Sequence, residues 1–203
     1  SIGESEYKSA TFKIERRFSD GFQLQAHYTY SEDEDNDSNE RSATGVTLSN
    51  PDDPNYDFGL SDRDVENRIV ISGLVELPWE IQLSGTFEYR DGTPYTAISP
   101  DLEDAYCPVF NCPDVRAVID GRLTERNEFR NEDITRLDLR FSKFFTFGDW
   151  RFDVFAEVFN VFDENSFSVN FGQRDPADND FGIPDNLVTE PRSIQIGTRI
   201  SLR

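Results

Sequence analysis

Alternation of apolar and polar residues is the feature that most constrains the fold of this chain. In residues 22–30 every even position is apolar or aromatic and every odd position is polar. Because successive side chains of a β-strand point to opposite faces, this pattern predicts a strand with one apolar and one polar face. The pattern recurs, with some irregularity, in the segments 7–18, 65–77, 81–90, 134–147, 151–162 and 193–202.

The connections between these strands alternate between short and long. The short ones cover 19–21, 78–80 and 148–150, and the long ones cover 31–64, 91–133 and 163–192. Gly21 suits the left-handed position of a three-residue hairpin turn, whereas the Asp, Asn, Pro and Gly of the long connections disfavour regular structure. This layout predicts an all-β fold, an antiparallel transmembrane β-barrel segment of about seven strands, with short periplasmic turns and long extracellular loops.

The register of the strands can be predicted from the same pattern. Pairing Leu77 with Ile81 across the turn 78–80 also sets Ile71 opposite Phe87, so one side of this hairpin is apolar throughout. A slip of one residue would move every apolar side chain to the other face, so the register is strongly specified.

A second predicted hairpin, around the turn 148–150, adds a charge pair. Its register sets Leu139 opposite Val158 on the apolar face and Arg140 opposite Glu157 on the polar face. In a barrel whose apolar face contacts lipid, this arginine and carboxylate are expected to form an ion pair in the lumen.

Aromatic residues mark both ends of the predicted strands. Trp79 and Trp150 lie in short turns, whereas Tyr28, Tyr30 and Tyr89 end strands that run toward the long loops. These positions predict two aromatic girdles, one at each membrane interface. The alternative is that the same rings border a soluble core.

Composition excludes several classes of partner and fold. The 203 residues carry a net charge of -20, which argues against nucleic acid and against anionic lipid as partners. The 18 Phe, 7 Tyr and 2 Trp argue against disorder, because disordered chains are poor in aromatic residues. A single all-β domain can have this length.

An odd strand count predicts that the chain is an excerpt of a larger barrel. Bacterial barrels ordinarily have an even number of antiparallel strands, and seven alone would leave two open edges in lipid. The absence of methionine agrees with this expectation.

Four stretches of the chain resemble the late barrel strands of TonB-dependent receptors. They include a strand end with Gly92-x-Pro94-Tyr95 and a penultimate hairpin that ends in Phe159-Asn160-Val161-Phe162. The matching stretches are 55–68, 87–95, 136–143 with 155–163, and 191–197. This resemblance implies that 1–203 is the C-terminal part of such a receptor barrel, in the outer membrane of a Gram-negative bacterium.

The resemblance also implies partners. They are outer-membrane lipid, the remaining barrel strands of the parent receptor, its plug domain and, through that parent, the TonB system. The chain itself contains no plug domain, and it ends in Leu202-Arg203, where the family usually ends on an aromatic residue.

Sites for catalysis or cofactors are not predicted. The chain has a single histidine, His27, which rules out His-rich metal sites and is expected to be solvated on the polar face. No nucleophile motif or phosphate-binding motif occurs, so the chain is not expected to be an enzyme. The acidic runs 32–40 and 175–185 have the ligand type for Ca²⁺ but lack an EF-hand pattern, so a solvated charge run is the alternative.

Two cysteines lie four residues apart in the middle long loop. Cys107 and Cys112 would face the cell exterior, an oxidising environment, so they are expected to form a disulfide that closes a small turn. Metal binding would need more ligands than this pair offers.

The leading functional hypothesis is a structural part of an outer-membrane receptor or transporter, with the long loops contributing to ligand capture. The alternative is a soluble or surface β-sheet module that binds or self-assembles, because open strand edges invite pairing with other copies.

Overall fold

Seven long strands dominate the computed structural model, which describes residues 3–38, 53–99 and 116–202. They are β1 (Ser5–Ser19), β2 (Phe22–Asp35), β3 (Asn67–Leu77), β4 (Ile81–Arg90), β5 (Ile134–Phe147), β6 (Trp150–Phe159) and β7 (Ser193–Leu202). Each pairs antiparallel with its neighbour in the sequence, so the sheet has the order β1-β2-β3-β4-β5-β6-β7.

The elements in the long connections are short. Two 3₁₀ helices cover Pro54–Asp57 and Phe171–Gln173. The two-residue strands are Gly59–Leu60, Pro94–Tyr95, Val118–Ile119, Arg122–Leu123, Phe129–Arg130, Phe167–Ser168 and Asn186–Leu187. No helix in the described part of the chain is long and apolar enough to cross a membrane.

Both predicted registers are confirmed. Leu77 lies opposite Ile81 and Ile71 opposite Phe87 between β3 and β4. Between β5 and β6, Leu139 lies opposite Val158. The predicted bounds of β4, β5 and β7 are also those of the structure, because in these strands the alternation runs to both ends.

Two strand ends differ from the prediction by three residues or more. β2 does not end at Tyr30 but continues to Asp35, since Ser5–Lys8 of β1 pairs with this acidic stretch and outweighs its low β propensity. β6 ends at Phe159 rather than at residue 162. The next residue, Asn160, has a left-handed backbone (φ 51°), and its side-chain amide donates to Glu164 O and Glu190 O, both at 3.0 Å.

Two of the three short turns are tighter than predicted. Asp20 and Gly21 alone connect β1 to β2, both with positive φ (55° and 75°), which is the geometry of a two-residue hairpin turn and corrects the three-residue expectation. Trp150 pairs with Phe147 as the first residue of β6, so it belongs to the strand and not to the turn.

The seven strands form a wall that exposes its apolar face. Its outward side chains keep large exposed fractions, for example 67% for Phe12, 69% for Ile194 and 76% for Ile196. Two basic side chains on this face bend toward the short turns: Arg16 reaches Asp20, and Lys143 Nζ donates to the Trp79 carbonyl. This is how long basic side chains leave an apolar layer at its boundary.

Both margins of the wall are open within the described residues. The outer edges of β1 and β7 have no strand partner there, so the sheet is not closed into a barrel. Both edge strands run from the long-loop end to the short-turn end.

The buried apolar residues lie at the long-loop end rather than inside the sheet. In the described residues these are Tyr95, Ala97, Ile98, Ala117, Ile134 and Val169. Only Ile134 belongs to a long strand, and it is the first residue of β5. The packed core of this structure is therefore formed by the loops.

Candidate functional site

Two regions of the structure are candidates for a functional site. One is the polar face, formed by the inward side chains of β1–β7. The other is the loop layer, formed by the described parts of loop 1 (36–66), loop 2 (91–133) and loop 3 (160–192).

Arg140 organises the middle of the polar face. Its Nη1 lies 3.1 Å from Glu157 Oε1, and its Nη2 lies 3.3 Å from Asp153 Oδ2. The guanidinium also covers the ring of Phe155, with Cζ 3.8 Å from the ring centroid. That ring lies so close over Gly197 of β7 that a Cβ there would collide with it. The guanidinium of Arg140, the ring of Phe155 and the backbone at Gly197 thus pack on one another and hold β5, β6 and β7 together here.

The polar face ends in further ion pairs below the loops. Arg68 Nη2 lies 2.9 Å from Glu88 Oε1, and Arg136 Nε lies 2.9 Å from Asp138 Oδ1. Asp138 Oδ1 also accepts from the Asn160 backbone N–H at 2.9 Å, which links the wall to the start of loop 3.

Arg126 of loop 2 is the centre of the contact between loops 1 and 2. Its Nη2 lies 2.6 Å from Asp35 Oδ1 and 2.7 Å from Ser38 Oγ, and Nη1 donates to Asp57 O at 3.2 Å. The Asp35 side chain is only 2% exposed. Because a buried carboxylate needs a partner, this arginine holds the end of β2 and loop 1 together.

A second buried contact lies beside the first. Arg130 Nη2 is 2.5 Å from Asp64 Oδ2, whose side chain is 1% exposed. Asn127 Nδ2 donates to Leu60 O at 2.6 Å and to Asp62 Oδ1 at 2.7 Å. The side chains of loop 2 therefore add to the short backbone ladder that pairs Gly59–Leu60 of loop 1 with the end of β2.

Loop 3 joins the layer through aromatic packing. The ring of Phe129 stacks on Tyr95 at 5.7 Å between centroids and meets the edge of Phe181 at 5.4 Å. Burial raises the pKa of the Tyr95 hydroxyl. The Ile98 N–H donates to the Arg174 carbonyl at 2.9 Å, which adds a backbone link between loops 2 and 3.

The predicted girdle residues occupy both ends of the wall. At the short-turn end, Trp79 is 80% exposed and Trp150 51% exposed. Near the other end, Tyr28 and Tyr30 are exposed on the apolar face, whereas the Tyr89 hydroxyl donates to Asp91 at 2.8 Å and Asp133 at 3.0 Å. Tyr89 is therefore tied to the base of loop 2.

The other predicted sites are placed as follows. Cys107 and Cys112 lie outside the described residues. In the acidic run 32–40, residues 32–35 are part of β2, and the Asp35 carboxylate forms an ion pair with Arg126. Within 3–38, 53–99 and 116–202 no group of three or more His, Cys, Asp or Glu is arranged to hold a metal ion. His27 lies on the polar face, between Lys13 and Val70.

The loop contacts were missed by reasoning from the sequence. The expectation that the long loops lack regular structure is wrong for their described parts, which contain short strands and buried ion pairs. A signal existed: loop 2 contains Arg116, Arg122, Arg126 and Arg130, whereas loop 1 with the end of β2 is strongly acidic.

The comparisons with known proteins agree with this architecture. A family model described as an outer membrane beta barrel domain matches residues 1–195. No curated protein matches the chain. The antiparallel wall with its exposed apolar face and its long loops at one end is what such a domain requires. The chain belongs to the outer membrane beta barrel domain family and is located in the outer membrane of a Gram-negative bacterium.

Proposed function

We propose that this chain is part of the wall and of the outer mouth of an outer-membrane receptor of the TonB-dependent type. The observation that carries the proposal is the packed loop layer. Loops that only joined strands would not need the buried pairs of Arg126 with Asp35 and Arg130 with Asp64. A preformed layer loses little conformational entropy when it contacts a ligand, so it suits capture.

The polar face supports the same proposal. With its apolar side in lipid, the wall turns Arg140, Glu157 and Asp153 toward a water-filled interior. Such an interior accommodates a plug domain through ion pairs and water. The plug and the TonB system that acts on it are partners of the whole receptor in this proposal, with uptake energy coming from the inner membrane.

Closure of the barrel requires further strands in this proposal. Because β1 and β7 run in the same direction, direct pairing between them would be parallel, unlike every other pair in the wall. An odd number of additional antiparallel strands closes the sheet and removes both open edges from lipid.

The experiment compares nutrient uptake with and without an intact loop layer. A strain that lacks the receptor is grown on iron-limited, glycan or peptide medium and complemented with wild type or with the Arg126→Ala, Arg130→Ala double variant. We expect the strain to grow poorly on one of these media. Wild type should restore growth there, and the double variant should not. Arg17→Ala, on a side chain 93% exposed near a short turn, is the matched control and should restore growth.

Two further results decide the proposal. Disabling the inner-membrane energy complex should abolish growth on the same medium. Equal growth of the deletion strain on all three media, with the receptor normally abundant in the wild-type outer membrane, would contradict a role in uptake.

Self-assembly is the second candidate, and the open edges of β1 and β7 favour it. Edge strands with free backbone groups pair readily with other copies. An assembly that forms through these edges would appear as a detergent-resistant oligomer whose mass changes when proline is introduced at Thr11 of β1.

A further inference from the structure

Three arginines meet on the polar face directly below the loop layer. Arg68 on β3 lies opposite Arg90 on β4 in the register, and Arg136 on β5 lies opposite Glu88. The Cβ atoms of directly opposed residues are about 4.5–5.5 Å apart, and like charges in such positions destabilise a sheet. A facing arginine pair in a chain with twice as many acidic as basic residues is therefore unexpected on structural grounds alone.

The carboxylates nearby leave one of these arginines without a partner. Glu88 pairs with Arg68 at 2.9 Å, and Asp138 binds the Nε of Arg136 at 2.9 Å. Arg90 is partly buried, and its side chain has no hydrogen bond or ion pair within the described residues. A partly buried guanidinium favours an anionic partner, because its five donors match a carboxylate or phosphate.

The space for such a partner is present. A cavity of about 520 Å³ is lined by the three arginines, by Glu88 and, from loop 3, by Thr189 and Glu190. Of the three arginines on this lining, Arg68 and Arg136 already pair with carboxylates, so the guanidinium of Arg90 is the one left for a ligand. The site therefore fits one anionic group rather than a polyanion, and the strongly acidic chain around it disfavours a highly charged ligand.

We infer that Arg68 and Arg90 form a binding site for a single carboxylate or phosphate group of a solute that enters the barrel interior. The inference rests on the proposed function, because the polar face must line an interior open to solutes. The two guanidinium groups would share the anion from adjacent strands, which also relieves their mutual repulsion. Thr189 and the apolar side chains at the cavity edge would contact the rest of the solute.

Protection of arginine from chemical modification tests this site without knowledge of the natural solute. The full-length protein in neutral detergent is treated with phenylglyoxal, with and without inorganic phosphate, and each arginine is followed by mass spectrometry. We expect phosphate to slow modification of Arg90 about fivefold once it exceeds its dissociation constant about fourfold. Arg151, on the polar face near a short turn, should change less than about twofold.

Variants separate the site from a general charge effect. Arg68→Gln should abolish the protection of Arg90, whereas Arg151→Gln should leave it intact. Equal rates at Arg90 with and without phosphate would overturn the inference. So would an Arg90 that resists modification in both conditions, because a carboxylate of the protein itself would then fill the site. Either result leaves the uptake experiment, and with it the proposed function, standing.

Discussion

The wall and the loop layer are built by opposite rules. In the wall, large apolar side chains such as Ile194 and Ile196 are exposed, and most polar side chains lie together on the other face. Where the loop layer meets the end of β2, Asp64 of loop 1 and Asp35 of β2 are buried almost completely, and apolar residues such as Ile98 fill the interior of the layer. The wall is arranged for a lipid solvent and the loop layer for water.

This difference indicates where each region gets its stability. The wall has little internal packing, so its strands depend on the backbone ladder and on lipid around the apolar face. The loop layer depends on its own contacts, above all on two buried ion pairs that join loop 2 to loop 1 and to the end of β2. A change that damages one region should therefore leave the other largely intact.

The largest expected effect comes from removing a buried charge partner in the loop layer. Arg126→Ala leaves the buried Asp35 with Arg63, at 3.6 Å, as its charged partner and with the Ser38 hydroxyl, at 3.0 Å, as a neutral donor. We expect the loop layer to lose about 3–5 kcal/mol of stability. Hydrogen exchange followed by mass spectrometry should show faster exchange in loops 1 and 2 and unchanged exchange in β3–β6.

Arg122→Ala is the matched control for this change. Arg122 pairs with Glu128 at the surface, with its side chain 58% exposed, so its loss should cost about 0–1 kcal/mol. Faster exchange throughout the wall of Arg126→Ala would contradict the independence of the two regions.

A charge on the apolar face of the wall should have the next largest effect. Ile71→Lys places an ammonium group in the middle of β3 on the exposed apolar face, at a cost of about 2–4 kcal/mol near the bilayer midplane. Ser72→Lys, one residue further, points to the polar face and should change stability little. Urea unfolding in lipid vesicles, monitored by tryptophan fluorescence, measures both; equal losses would refute the assignment of the faces.

A methyl group at Gly197 should loosen one pair of wall strands. Gly197→Ala puts a Cβ against the ring of Phe155, at an expected cost of about 1–3 kcal/mol. In the double variant with Phe155→Ala the collision is absent. Its loss of stability should therefore be smaller than the sum of the losses in the two single variants. Strict additivity in the same unfolding assay would show that the ring does not lie over this glycine.

The smallest expected effect is a pH dependence confined to loop 2. The hydrogen bond from Arg122, together with the Glu125 backbone N–H, lowers the pKa of Glu128 below its usual 4.5. A carboxyl with a lowered pKa stabilises the folded state above its unfolded pKa, and this contribution is lost as the pH falls through the folded value. Proteolysis within loop 2 should therefore accelerate below pH 4.5 in wild type. Glu128→Gln should show no such step, and a step of equal size in both proteins would assign the effect to another group.

The wall could be predicted from the sequence, whereas the loop layer could not. The period of two fixes which side chains share a face, so the pairing of Ile71 with Phe87 followed from pattern alone. The contact of Arg126 with Asp35 joins residues 91 positions apart without any periodic signal, and only the opposite charges of loops 1 and 2 hinted at it. The extension of β2 to Asp35 was missed because it depends on that same contact and on pairing with β1.

Spin labels placed in turn at residues 69–75 of β3 test the central claim most directly. In outer-membrane lipid vesicles, oxygen dissolves in the bilayer and a nickel chelate stays in water, so their collision rates with each label report its surroundings. The structure predicts oxygen contact at Ile69, Ile71, Gly73 and Val75, and nickel contact at Val70, Ser72 and Leu74. The opposite phase, or no alternation along β3, would contradict a wall with its apolar face in lipid.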